Sequence, residues 1–330
     1  MAFSTKYSLT IIKYIYTNQQ AMTINNLLGL SISSGNIAKK ENFDIIKELH
    51  FQNKVNWVQI YIAPGTEIET FYLLKDTKLK YIIHAAHELH KFNPIDGLTK
   101  NNKEIIDKAI FAASFLKANF VIFHPGFQNY SHLKNSNIKN SFKNIFLILN
   151  YIQGKTDKIF NEYQTKPKIL FENLPSRAYG HTTLFNSSNS KLLNLMKYNK
   201  MGVCLDIANL ATKINAQLSK YHFPKELASR KKNHSESISD FLKLGPQVIH
   251  TRPIPEVDIL ERPTEFGKLN EYQLDYILPY CIKEKTPLIL EIPQNEASFK
   301  SAIGFIETYY NVLSNYSLIP KKEMSFRVSR

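Results

Sequence analysis

The chain has 330 residues, 43% of them hydrophobic, which excludes a disordered polymer and leaves room for one large α/β domain or two small ones. Lys and Arg number 42 against 28 Asp and Glu, a formal net charge of +14 that would attract a polyanion such as nucleic acid, although the abundance of Lys, Asn and Ile is also what an AT-rich genome gives. Two cysteines, Cys204 and Cys281, make neither a disulfide framework nor a CxxC clip, and no apolar stretch reaches the ~18 to 20 residues of a membrane span, since Lys13 interrupts YSLTIIKYIY.

Residues 1–25 read as an N-terminal extension. Residues 1 to 40 hold Lys6, Lys13, Lys39 and Lys40 and no acidic residue, but transit peptides favour Arg, so no targeting peptide is expected and the reading is intracellular, cytoplasmic or nuclear. From residue 26 the pattern becomes strand, then helix, repeated. Eight short runs rich in Ile, Val and Phe read as strands buried on both faces: LLGLSIS, WVQIYI, KYIIHAA, FVIFHP, KILFEN, MGVCLDI, QVIHTRP and PLILEIP. Between them, FDIIKELHF, KEIIDKAIFAASFLKA, SFKNIFLILNYI, YQLDYILPYCIK and FKSAIGFIETYYNVL carry apolar residues at helical spacing. Eight such units, with no GxGxxG or Walker-type phosphate loop, predict a single (β/α)8 TIM barrel over residues 26–316, followed by a tail over 317–330. The least regular stretch, Lys213 to Gly245, follows the sixth strand and carries Arg230, Lys231 and Lys232. In a barrel it is a loop of the active face, where those three could lie against a DNA backbone or simply be solvated.

Six of the eight strands end in a side chain able to bind a metal: His84, His124, Glu172, Asp206, His250 and Glu291. In a parallel barrel those ends share one face, so three imidazoles and three carboxylates would share one pocket. Each alone has an ordinary explanation as a satisfied polar residue or a helix cap; six at equivalent positions point to a metal centre. Mixed nitrogen and oxygen ligands suit Zn, Mn or Fe better than Mg or Ca. With one carboxylate bridging, six ligands can hold two ions, which is the two-metal route to phosphodiester hydrolysis.

At these residues, from about Leu28 to Tyr310, the chain resembles the endonuclease IV family of apurinic/apyrimidinic endonucleases, within the xylose-isomerase-like barrels. The resemblance is carried by FHPG with His124, His84 with the Asn93-Pro94 pair, Glu172-Asn173, the CLD of GVCLDIAN, and the LE-x-P of LILEIP. It implies that His84, His124 and Glu172 hold one ion, that Asp206, His250 and Glu291 hold the other, and that Glu172 bridges. It further implies two Zn2+ ions, with Mn2+ an alternative, and cleavage of double-stranded DNA on the 5′ side of an abasic site, a step of base excision repair. Glu172, Glu291 and Arg252 are the expected catalytic residues, in a protein expected to be a monomer.

The chain departs from the family at the third metal. Two imidazoles of that site are replaced by Asn209 and Pro263, and Glu261 keeps a carboxylate, so at most a weakened third site at Asn209 and Glu261 is expected. An aromatic that follows the first His in the family is His87 here, and Arg252 could supply charge where a metal would have met the phosphate. Two other readings fit the same barrel: a sugar isomerase or epimerase using one ion on Glu172, Asp206, His250 and Glu291, and a non-catalytic DNA-binding subunit.

Overall fold

The computed structural model describes residues 26–75, 77–87, 90–129, 135–174, 181–183, 194, 196–207, 209, 238–251 and 277–291. Among them are the strands β1 (Leu28–Ser33), β2 (Trp57–Tyr61), β3 (Lys80–His84), β4 (Phe120–Phe123), β5 (Phe127–Asn129), β6 (Lys168–Glu172), β7 (His181–Thr183), β8 (Gly202–Asp206), β9 (Val248–Thr251) and β10 (Leu288–Leu290). All but β5 and β7 pair in parallel and close into a barrel in the order β1-β2-β3-β4-β6-β8-β9-β10 and back to β1. The eight runs that read as strands are therefore the eight staves of the barrel. The antiparallel pair β5 and β7 is additional, and its strands of 3 residues are too short to show an alternating pattern.

Helices return the chain from the end of one strand to the start of the next. The helices α1 (Ser34–Ile37) and α2 (Lys40–Phe51) follow β1, α3 (Lys100–Phe115) follows β3, and α4 (Asn135–Tyr163) follows β5. Helix α3 starts where the Thr99 hydroxyl accepts the Asn102 N–H at 3.1 Å, and it turns Ile105, Ile106, Ala109, Ile110 and Ala113 inward. Helix α4 buries Phe142, Ile145, Ile148, Leu149 and Ile152 on one stripe and runs well beyond the segment 141–152 that sequence periodicity marks. The stretch 277–284, which overlaps the expected helix YQLDYILPYCIK, is helical and buries Cys281. Among the described residues, no helix is long and apolar enough to cross a membrane. The N-terminal extension, the basic run Arg230, Lys231 and Lys232, the expected helix 299–313 and the tail 317–330 lie outside the described residues.

The barrel has two apolar compartments, separated by the period of two along each strand. Val58, Ile60, Ile83, Val121, Phe171, Leu205, Ile249 and Leu290 face outward into the large core shared with the helices. The alternate residues Trp57, Ile82, Ile122, Leu170, Cys204, Val248 and Ile289 form a separate cluster from seven strands, which fills the barrel interior. Gly29 leaves room for Trp57 at one end, since a Cβ there would lie 2.6 Å from that of Trp57 and 2.5 Å from Ile289 Cδ1. Two residues further along each strand from Ile82, Ile122, Leu170, Cys204, Val248 and Ile289 stand His84, His124, Glu172, Asp206, His250 and Glu291. The interior layer is thus the floor, and the next step of the same pleat places the six polar side chains at the C-terminal mouth.

Candidate metal centre

All six side chains converge. Ligand atoms of His84, His124 and Glu172 lie within 4.8 Å of one another, and so do those of Glu172, Asp206 and Glu291 and those of Glu172, Cys204 and His250. Glu172 is common to every group. Its Oε2 has His84 Nε2 at 3.1 Å, His250 Nδ1 at 3.2 Å and His124 Nε2 at 3.7 Å, so one carboxylate oxygen faces imidazoles from β3, β4 and β9. His250 Nδ1 is also 3.2 Å from Glu291 Oε1.

The hydrogen bonds behind these groups set which nitrogen each ring offers. The His84 Nδ1–H donates to the Ala85 carbonyl at 2.9 Å, leaving Nε2 as the ring nitrogen that faces Glu172. His250 Nε2 meets Gln59 Oε1 at 2.7 Å, which makes it the donor and leaves Nδ1 as the nitrogen that could take a metal. That Nδ1 is fully buried and makes no hydrogen bond, although two carboxylate oxygens lie close to it. A buried ring nitrogen set between two carboxylate oxygens, with hydrogen-bond geometry to neither, is a place that a cation completes, so these residues fit a bound metal. Three imidazoles and three carboxylates make a mixed nitrogen and oxygen donor set of the kind that holds divalent transition-metal ions.

The protonation equilibria tell the same story. Burial works against ionisation of Glu172, but the charge of His250 and the contacts from His124, His250 and His84 outweigh it and hold the carboxyl well below the usual range. Burial likewise works against charge on His250, yet Cys204, Glu291 and Glu172 hold its imidazole well above the ordinary value. Burial pushes the Cys204 thiol up to about 12, so it is uncharged at neutral pH and the two carboxylates carry the effect on His250. Without a metal, the centre holds protons where cations would sit.

Supporting residues tie the strand ends together. The Asn173 side chain donates to the Asp206 carbonyl at 2.8 Å and accepts the Asp206 N–H at 2.6 Å. Asn209 donates through Nδ2 to the Asn173 carbonyl at 2.9 Å and to Glu172 Oε1 at 3.4 Å, and its backbone N–H reaches Asp206 Oδ1 at 3.0 Å. Its amide nitrogen is thereby engaged in holding Glu172. Gly126 of FHPG has φ +89°, and a Cβ on it would overlap the side chain of Asn93, so the turn of FHPG packs directly against the Asn93-Pro94 pair. Asn93 is held in turn by buried Asn102, which accepts its N–H at 3.1 Å and donates to its carbonyl at 2.8 Å. At the rim, the His87 ring stacks on His124 with centroids 5.1 Å apart and planes 12° apart, and lies 5.0 Å from Tyr61. Arg252, Glu261 and Pro263 lie outside the described residues.

Gln59 escaped the sequence reading. The signal was there: one amide at the middle of WVQIYI, on the same pleat as Trp57 and Tyr61, in a run otherwise read as uniformly apolar.

Comparison with known proteins identifies the fold. No family model matches the chain, and no curated protein does. Solved structures do match. A D-tagatose 3-epimerase-like protein superposes with a TM-score of 0.56 at 18% identity, covering 88% of this chain and 99% of that one. A xylose isomerase domain protein from Planctomyces limnophilus gives 0.54 at 13% identity, covering 88% and 98%. Endonuclease IV from Thermus thermophilus gives 0.49 at 16% identity, covering 86% and 99%. At such identities the likeness is one of fold alone, the (β/α)8 barrel.

Proposed function

We propose that the chain is a metal-dependent phosphodiesterase that cleaves double-stranded DNA on the 5′ side of abasic sites, using two divalent ions, with Zn2+ the expected metal and Mn2+ the alternative. The observation that carries this reading is the crowding of three imidazole nitrogens around Glu172 Oε2, at 3.1, 3.2 and 3.7 Å. A single ion is satisfied by Glu172, Asp206, His250 and Glu291. That leaves His84 and His124 to a second ion, which would share the same carboxylate. When bound, a pair of ions activates a water and offsets the negative charge that develops on a phosphodiester.

The residues of the chain do the rest. Glu172 stands between the two triads as the shared ligand, kept ionised by the imidazoles around it. Asn173 and Asn209 hold Glu172 and Asp206 in register, and the apolar layer beneath closes the pocket from below. A net charge of +14 draws the polyanion, with Arg230, Lys231, Lys232 and Arg252 the candidate contacts to its phosphates.

A second reading, a sugar isomerase or epimerase with one ion on Glu172, Asp206, His250 and Glu291, is favoured by the fold likeness to an epimerase-like protein. One experiment separates the two: metal content by mass spectrometry, together with cleavage of a duplex carrying one abasic site and turnover of free ketoses. Two zinc ions per chain, with cleavage abolished by a chelator and restored by zinc, are expected. One ion with turnover of a ketose and no cleavage would establish the second reading instead.

A further inference from the structure

Gln59 is wholly buried midway along β2, beside Ser31 of β1 and on the same face of the barrel as the apolar interior cluster. An amide in such a place must have its hydrogen bonds satisfied. Its Nε2 donates to Glu291 Oε1 at 2.7 Å and to Ser31 Oγ at 3.2 Å, and its Oε1 accepts from His250 Nε2 at 2.7 Å. The opposite orientation of the amide would set its oxygen against the Glu291 carboxylate. The orientation is therefore fixed by the neighbours, and with it the ring tautomer of His250.

We infer that Gln59 is a positioning residue of the metal centre: by accepting the His250 Nε2–H and donating to Glu291, it turns the His250 Nδ1 lone pair and the Glu291 carboxylate toward a common cation. This rests on the reading of the site as a metal centre. The two triads are supported differently. His84 takes its tautomer from the Ala85 carbonyl, a backbone group on its own strand end, whereas His250 takes it from a side chain reaching across the barrel from β2. A change at Gln59 should therefore strike the ion held by Asp206, His250 and Glu291 and spare the ion held by His84, His124 and Glu172. A neutral amide also suits the position better than a carboxylate, which would repel Glu291.

The test is zinc titration of the full chain against a chromophoric chelator, comparing wild type with Gln59→Leu. The wild type should take up two ions tightly; in the variant one of the two should weaken roughly 10–100-fold, as loss of an outer hydrogen-bond partner does in metal sites, and the other should keep its affinity. Should the variant fail to fold, imidazole 15N spectra of the zinc-loaded wild type decide the matter. His250 should show a protonated Nε2 and a metal-bound Nδ1, the reverse of His84. A His250 bound through Nε2, or a folded variant with both affinities unchanged, overturns the role given to Gln59 and leaves the metal centre standing. A wild type that takes up no zinc or manganese removes the metal centre and the inference with it.

Discussion

Asn173 grips the peptide of Asp206 on both sides, its Oδ1 taking the Asp206 N–H at 2.6 Å and its Nδ2 giving a proton to the Asp206 carbonyl at 2.8 Å. The side chain thus imitates one more rung of sheet just where the ladder from β6 to β8 stops, at Glu172 opposite Cys204. Glu172 and Asp206, on neighbouring staves, are held at a set spacing by a residue that touches neither carboxylate. Asn173→Ala removes both of these buried hydrogen bonds, so it should cost about 2 kcal/mol or more, read from urea unfolding of the metal-free protein. Zinc affinity should fall in the same variant. Stability within about 0.5 kcal/mol of wild type would show that the grip is incidental.

The barrel was legible because its staves are short, apolar and rich in β-branched residues, and because each metal-binding side chain sits at a strand end that the sequence itself marks. His84, His124, Glu172, Asp206, His250 and Glu291 could be placed on one face from topology alone. Their supports could not. Gln59, Ser31 and Asn209 act through contacts between different staves, up to 232 positions apart for Gln59 and Glu291, and no local pattern encodes such a pairing. The pairing of β5 with β7 escaped for a related reason, since it joins segments about fifty residues apart that are each too short to show a period.

Metal binding should expel a proton from His250. Its imidazole is held well above the ordinary value of 6.5 in the metal-free protein, so at pH 7 Nδ1 carries the proton that an ion must displace. Glu172 is already ionised there and releases none. Calorimetric titration with zinc at pH 7, repeated in buffers of different ionisation enthalpy, should return about one proton per chain, and zinc affinity should rise roughly tenfold per pH unit while His250 remains the titrating ligand. Binding with no proton release would mean that His250 is neutral beforehand or is not a ligand.

Gly126 and Gly65 separate backbone strain from a clash. Both have positive φ, +89° and +81°, but a Cβ on Gly65 would meet nothing within 4 Å whereas one on Gly126 would overlap Asn93 and lie 3.1 Å from Pro94 Cδ. Gly65→Ala should lose only the strain of a left-handed alanine, about 1 kcal/mol. Gly126→Ala should lose ~1–3 kcal/mol more, because the loop carrying His124 must move off Asn93. Thermal melts of the two variants check the difference. Equal losses would show that Asn93 yields without effort.

Glu172→Gln tests the shared ligand directly. The substitution keeps the shape of a buried side chain at the end of β6, so circular dichroism should be unchanged, but it removes the charge that all three imidazoles face. A neutral amide oxygen cannot balance two dications, and the amide nitrogen is no ligand at all. Removing an outer partner of a metal ligand costs 10–100-fold in affinity or activity, so removing the ligand common to both ions should cost more than ~100-fold in each. Both ions should weaken together, unlike in the Gln59 variant, where one is spared. Metal content and cleavage of the abasic-site duplex are the two measurements. A folded Glu172→Gln protein that still carries two ions and cuts at the wild-type rate would end the two-metal account, and loss of one ion alone would show that Glu172 serves a single site.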